Sequence, residues 1–543
     1  IYPCLKPIDT VCNAPDSDLW HALIEADNYH ALQLLEYLYA GKVDCIYIDP
    51  PYNTGARDWK YNNDYVDNSD EYRHSKWLSM MQKRLKIAKK LLAKDGMLIT
   101  TIDDNEYADL FLLIEEVLPE CENITISIQM NPGGTQGKAF SVTNEYAIVS
   151  YFPATEICRK QHLDGDTYNL RRWGSTSNRY EGATCFYPII LDSQNNIIGF
   201  GDILPNDLHP KKQVEIQSNG NKYVWPFDVK GVEKKWRYAR DTVESVKSRM
   251  FVETHENRIE ILLRRETEPP KTMWVNPEYN AEAYGTKLIK EIIGKGRFSY
   301  PKSIYATKDC LALLVAKKPN ALIVDFFAGS GTTLHAVNLL NAEDGGKRRC
   351  ILVTNNEVSD TESKEMAAKG LKPGDPEWEA LGIAHYVTWP RTVCSIKGEN
   401  IKGEPLKGNY IGSDIPMADG FKANAAFFKL GFLDKNAVAL GRQFKEMLPT
   451  LWMKAGAHGK CPTVSEDIPD MLIFSENKFA VLIDEMSYRA FEKQIAEHPE
   501  IETIYVVTDS EPGYREMIAA FNDKNTYQLY RDYLDNFRIN TGR

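Results

Sequence analysis

The chain lacks any apolar run approaching the roughly 20 residues that would span a bilayer. Its ten cysteines contain no Cys-x-x-Cys pair, and its ten histidines contain no His-x-His. Neither a zinc cluster nor a disulfide framework is therefore expected, and the cysteines read as reduced core residues with no metal site. No Gly-Lys-Ser or Gly-Lys-Thr follows a glycine turn, which excludes a Walker-type phosphate loop. Positive charge is also short. There are 65 Lys and Arg against 76 Asp and Glu, a net −11 that by itself argues against a polyanionic partner. The start at Ile1 suggests that the native N-terminus lies outside this sequence.

What is present is a chain of 543 residues, 43% hydrophobic, enough for roughly three or four domains with real cores. Its most informative stretch is Asp49-Pro50-Pro51-Tyr52-Asn53-Thr54-Gly55, fed by the apolar run Cys45–Ile48. Such a run reads as a buried strand, and open α/β sheets place ligands at the carboxyl ends of their strands. A carboxylate, two prolines and a flat ring at that position suit methyl transfer to an exocyclic amino nitrogen. The Asp49 carboxylate and the Pro50 carbonyl can accept the two amino hydrogens and draw the nitrogen toward a nucleophilic geometry. Proline lacks an N–H and fixes φ, so Pro50-Pro51 makes a stiff corner. Tyr52 offers a face on which an extruded base can stack.

A second motif lies far along the chain. The run Leu322–Phe327 leads into Ala328-Gly329-Ser330-Gly331, and a helix is expected from Thr332, with Leu334, Val337 and Leu340 at helical spacing. Gly329 and Gly331 permit close approach of a ligand to the backbone, and the helix start favours a carboxylate. A third strand, Ile351–Thr354, ends near Glu357, an acid suited to ribose hydroxyls. His335, inside the helix, reads as a packed or surface histidine and not as a catalyst.

These residues together resemble the S-adenosylmethionine-dependent amino-group DNA methyltransferases. The catalytic motif precedes the cofactor motif, as in their beta-order subgroup, and the modification subunit of type III restriction-modification systems is the nearest pattern, over most of residues 20–395. The resemblance implies a Rossmann-like α/β sheet with permuted motif order, a catalytic corner at Asp49, Pro50, Pro51 and Tyr52, and a cofactor site. That site would draw on Asp27, Asp49, Phe298, Lys302, Ser303, Asp325, Phe327, Gly329, Ser330, Gly331, Thr332 and Glu357. Asp at the first motif position implies adenine N6 as the target, with cytosine N4 as the rival. A catalytically idle recognition subunit of a restriction complex is the rival from another class. Implied partners are duplex DNA, a second copy of the chain and a separate helicase-nuclease subunit, in a bacterial or archaeal cytosol.

The organisation expected from these anchors is a first half of the methyltransferase sheet over 1–150 and a second half over 286–395. Between them, 151–285 would form a target-recognition domain. Residues 151–300 hold 23 Lys and Arg against 20 Asp and Glu, so the remainder of the chain carries −14. Lys234, Lys235, Arg237 and Arg240, interleaved with Trp236 and Tyr238, are candidate DNA contacts, as is Asn53. The polar stretch Asn53–Arg73 reads as a mobile loop. Residues 396–423 read as a linker to a C-terminal α/β association unit, with strands near Phe479–Ile483 and Ile504–Val507. Asp484-Glu485 reads there as a strand-end cap and not as part of a nuclease.

Overall fold

In a computed structural model of the chain, the described residues are 2–61, 64–67, 69–136, 139–158, 160–161, 167–255, 258–265, 267–294, 297–433, 444–465 and 468–530. They divide into two compact units, one of residues 1–158 with 271–543 and the other of residues 159–270.

The larger unit is built on one ten-stranded sheet. Its order is Tyr2–Cys12, Asn424–Leu433, Trp20–Glu25, Arg349–Thr354, Leu322–Asp325, Val43–Ile48, Leu92–Ile102, Asn144–Tyr151, Glu122–Gln129 and Met273–Trp274. From Asn424–Leu433 to Leu92–Ile102 every neighbouring pair is parallel, and Asn144–Tyr151 runs antiparallel to both of its neighbours. The two strands that lead into the sequence motifs, Val43–Ile48 and Leu322–Asp325, are thus direct neighbours. Asp44 fixes their starting ends: its side chain accepts from Leu322 N at 2.9 Å and pairs with Lys318 at 2.9 Å.

Parallel strands must be covered on both faces. One face carries the helices Asn28–Tyr39, Arg73–Leu91, Tyr107–Val117 and Phe444–Lys454, which bury Leu34, Leu35, Trp77, Met81, Leu85, Leu110 and Leu448. The other carries Lys287–Ile293, Ile304–Val315, Thr332–Asp344 and Trp389–Lys397, which bury Ile289, Leu311, Val337 and Ile396. Each such aliphatic side chain contributes about 1.5–3 kcal/mol by leaving water.

Several expected boundaries differ. The inserted unit is 159–270, not 151–285: Cys158 N still bonds to Leu313 O at 2.7 Å, and Met273–Trp274 already pairs with the sheet. Residues 396–423 are not a free linker, because Tyr410 is buried and stacks on Phe421. The sheet does not end at 395 either, since Asn424–Leu433 supplies a strand inside it. Gly96 lies within the Leu92–Ile102 strand that follows Leu91 directly. The Asn53–Arg73 stretch contains a two-stranded hairpin, Ala56–Tyr61 with Asp64–Asp67, while residues 62, 63 and 68 lie outside the described set.

The C-terminal βαβ reading corresponds to a four-stranded sheet ordered Met471–Phe474, Phe479–Leu482, Thr503–Thr508 and Asn525–Tyr530. It is fused to the main core: Tyr505 donates to Leu451 O at 2.8 Å, and Phe479, Val481 and Leu529 join the apolar cluster under the large sheet. Asp484 caps Met486 N at 3.0 Å, as a strand-end cap should. Unit 159–270 is a set of short antiparallel sheets around Leu170, Tyr187, Ile189, Trp236, Val243 and Leu263.

Candidate active site

The Val43–Ile48 strand delivers Asp49 to its carboxyl edge, where two groups meet the carboxylate. Thr101 donates to Oδ1 at 2.6 Å, and Lys302 Nζ lies 3.3 Å from Oδ2 and 3.1 Å from Glu145 Oε2. Tyr52 donates to the same Glu145 oxygen at 2.8 Å, with Lys302 Nζ 4.4 Å from its ring centre. One face of Tyr52 therefore carries a cation. Trp77, fully buried on the next helix, donates to Pro51 O at 2.7 Å and fixes the proline corner from below.

The electrostatics follow from two acids sharing one ammonium. Burial raises the Asp49 carboxyl above its ordinary range; Lys302 draws it back, and Glu145 raises it again. Burial alone would lower the Lys302 ammonium, but Asp49 and Glu145 outweigh it and hold the group above its usual range. Lys302 is charged and pairs with the Asp49 carboxylate. It is absent from the lining of the adjacent cavity, so its expected place in the cofactor site becomes one beside Asp49.

Asn53 was a candidate for touching DNA. It is fully buried instead, in left-handed backbone with φ 54°, and its amide donates to Glu106, which also bonds His74 Nδ1 at 2.6 Å. A short amide side chain tolerates that conformation and here shares one oxygen of a buried acid with His74.

The neighbouring strand ends at Asp325. Its carboxylate accepts from Phe327 N at 2.9 Å and Thr333 Oγ1 at 2.6 Å, and burial pushes its pKa up to about 7. Gly329 and Gly331 have φ 48° and 78°, in the left-handed region. A Cβ on Gly329 would stand 3.3 Å from the Phe298 ring, and one on Gly331 would stand 3.2 Å from Thr388. Thr388 donates to Gly329 O at 2.6 Å, and Arg391 donates to Ser330 Oγ at 3.0 Å and Thr332 Oγ1 at 2.8 Å. The turn is pinned from behind by residues that belong to no motif.

Both motifs open on one cavity of about 910 Å³. Of the residues expected to hold the cofactor, Asp27, Asp49, Phe298, Phe327, Gly329 and Glu357 line it. Asp27 also caps the Asn28–Tyr39 helix through Tyr29 N at 2.9 Å. Asn28, next to Asp27, lines it too, as do Arg84 and Asn356, which the motifs did not mark as site residues. Asn28 donates to Phe326 O at 2.8 Å, and Arg84 reaches Asp27 at 3.5 Å. Ser303 is not in the lining: its hydroxyl caps the Ile304–Val315 helix and donates to Glu278 O at 2.6 Å. Ser330, Gly331 and Thr332 shape the turn without appearing in the wall.

This cavity fits S-adenosylmethionine. Its volume lies in the range of small-molecule sites. Phe298 and Phe327 give apolar faces, Asp27 and Glu357 are acceptors for hydroxyls or amines, and a side chain at Gly329 would crowd the Phe298 ring. His335 is buried against Tyr410 at 2.8 Å and takes no part, as expected.

In the inserted unit, the basic run is committed to holding its own backbone. Arg240 donates to Gly201 O at 2.6 Å and Phe200 O at 2.8 Å, Arg237 to Asn169 O at 3.0 Å, and Lys235 to Glu181 O at 3.0 Å. Lys234 bonds Asn178 Oδ1 at 3.0 Å. A small irregular unit has many carbonyls outside ladders, and long cations reach them.

A covered parallel sheet thus carries an acidic proline corner and a glycine turn on adjacent strands, both opening on one cavity. The chain belongs to the DNA methylase family of N6/N4 methyltransferases, which matches residues 43–415. It is 29% identical over 387 residues to the type III restriction-modification enzyme EcoPI Mod subunit of Escherichia phage P1, covering 62% of this chain and 57% of that one. It is 30% identical to the type II methyltransferase M.KpnI of Klebsiella pneumoniae, covering 65% and 82%. It is 28% identical to the StyLTI Mod subunit of Salmonella typhimurium, covering 82% and 72%. The match to the phage P1 subunit thus spans little more than half of that protein's length.

Proposed function

We propose that this chain transfers a methyl group from S-adenosylmethionine to N6 of an adenine extruded from duplex DNA at a specific sequence, as the modification subunit of a restriction-modification system. The observation that carries this reading is the meeting of Asp49 and Pro51 of the proline corner with Phe327 and Gly329 of the glycine turn at one cavity, the two motifs following neighbouring parallel strands. The reading of adenine rests on Asp49 at the first motif position. The restriction context rests on similarity to the Mod subunits.

The residues have distinct tasks. Asp27, Phe298, Phe327, Gly329 and Glu357 hold S-adenosylmethionine, which when bound supplies an electrophilic methyl group on a sulfonium. Asp49 and the Pro50 carbonyl accept the two amino hydrogens, and Tyr52 stacks the base on the face away from Lys302. Lys302 and Thr101 keep the Asp49 carboxylate ionised and aimed. Asp49 takes the amino proton once the nitrogen has become cationic, because a neutral aromatic amine is far too weak an acid to lose it earlier. Most of the acceleration comes from positioning the reactants. A homodimer and a separate helicase-nuclease subunit complete the proposed assembly, with unit 159–270 reading the target sequence.

Asp49→Ala should lower methyl transfer to DNA by on the order of 10²–10⁴-fold with cofactor binding retained. Undiminished labelling would overturn the assignment of the corner. Digestion of the methylated DNA should release N6-methyladenine, and N4-methylcytosine in its place would overturn the choice of base.

A further inference from the structure

The Arg391 guanidinium is fully buried beneath the glycine turn, and among the described residues no carboxylate pairs with it. It donates through one nitrogen to Ser330 O at 3.3 Å, Ser330 Oγ at 3.0 Å and Thr332 Oγ1 at 2.8 Å. Its Nε and its other terminal nitrogen have no hydrogen-bond partner. The surroundings are neutral. Tyr410 keeps its proton because burial raises it, and burial, helped by Arg391 itself, keeps His335 uncharged. Asp325, the acid of the same turn, is satisfied by Phe327 N and Thr333, and no cation offsets its upward shift. Burial without an acid pushes Arg391 down to about 10, so it is still charged near neutrality.

An uncompensated buried cation is among the most costly features a core can contain, and chains retain such groups when something else supplies the opposite charge. Arg391 aims its charge at the start of the Thr332–Asp344 helix, whose own dipole already favours an anion. The cation and the helix start therefore act on the same place. The cofactor proposed for this turn carries one carboxylate.

We infer that Arg391 is the buried counter-charge for the cofactor carboxylate, acting through Ser330 and Thr332, and that it makes the turn selective for carboxylate-bearing adenosyl ligands. Arg391 is a positioning and specificity residue, separated from the ligand by the turn it holds. The inference rests on the proposed use of S-adenosylmethionine.

The test is calorimetric binding of two ligands to the full chain: S-adenosylmethionine and decarboxylated S-adenosylmethionine, which differ by the carboxylate alone. Wild type should prefer the first by at least about tenfold, the scale of a charge-assisted contact. In Arg391→Gln, which keeps an N–H donor for Ser330 and Thr332, the preference should shrink to within about threefold, while the decarboxylated ligand binds as well as before or better. Arg391→Lys keeps the charge and should keep most of the preference. Equal weakening of both ligands in Arg391→Gln, or no change in either, would overturn the inference and leave the cofactor reading standing. Failure of wild type to bind either ligand would overturn the cofactor reading itself. Should Arg391→Gln fail to fold, an absent carboxylate preference in wild type, or a lost one in folded Arg391→Lys, overturns the inference.

Discussion

Lys302 holds two carboxylates at once, at 3.3 Å from Asp49 and 3.1 Å from Glu145, and this sets the pH behaviour of the site. Asp49 must be ionised to accept an amino hydrogen, so activity falls as the pH drops through its carboxyl value, which burial has already raised. Replacing Lys302 by Met removes the cation that opposes this rise and leaves two acids facing one another. Like charges at such a separation do not both ionise, and one retains a proton. The acid limb of kcat/KM in Lys302→Met should move up by about one pH unit or more, with activity at pH 7 down at least about tenfold. Cofactor affinity should change little, because Lys302 is outside the cavity wall. A profile with an unmoved acid limb and a raised cofactor Kd would put Lys302 back in the cofactor site.

At the scale of elements, the C-terminal segment belongs to the catalytic sheet. Asn424–Leu433 pairs on one side with Tyr2–Cys12 over ten register positions and on the other with Trp20–Glu25. Phe444–Lys454 then buries Phe444, Leu448 and Leu451 beneath the same sheet. A chain cut after residue 415 would strip Tyr2–Cys12 of its partner and leave Trp20–Glu25 as an open edge. It should be recovered mainly as aggregate, with no cooperative unfolding of any soluble remainder by circular dichroism. A soluble 1–415 chain that binds S-adenosylmethionine would restore the picture of a tethered accessory unit.

The sequence made the two motif strands and their turns legible because each is a short apolar run ending in residues with restricted backbone choices: prolines at 50 and 51, glycines at 329 and 331. The Asn28–Tyr39 helix was legible for a similar reason, having Asp27 as a cap and a period-3.6 leucine face. Lys302, Ser303 and Asn53 were placed by their position beside a motif, and local position does not say which way a side chain turns. Thr101, Arg84 and Arg391 reach the site from other strands and helices, so only tertiary structure reveals them. The basic run at 234–240 is a weaker DNA signature than its sequence suggests, because charge in sequence does not distinguish a solvated cation from one already bonded to carbonyls.

For the whole molecule, the chain leaves the large unit at Cys158 and returns at Lys271. The flanking strands Asn144–Tyr151 and Met273–Trp274 both pair with the same strand, Glu122–Gln129, at one end of the ten-stranded order. Removing 159–270 therefore cuts no strand of that sheet, and its replacement by a flexible Gly/Ser linker closes a loop at a cost that grows only slowly with length. None of the cavity-lining residues lies within 159–270. The shortened protein should fold, unfold cooperatively and bind S-adenosylmethionine within about threefold of the parent, a difference of about 0.6–0.7 kcal/mol. If unit 159–270 reads the DNA sequence, methylation by the shortened protein should lose its site preference and, with it, most of its rate on a cognate duplex. Retained site-selective methylation would move target reading into the large unit, and lost cofactor binding would show that the inserted unit supports the cavity itself.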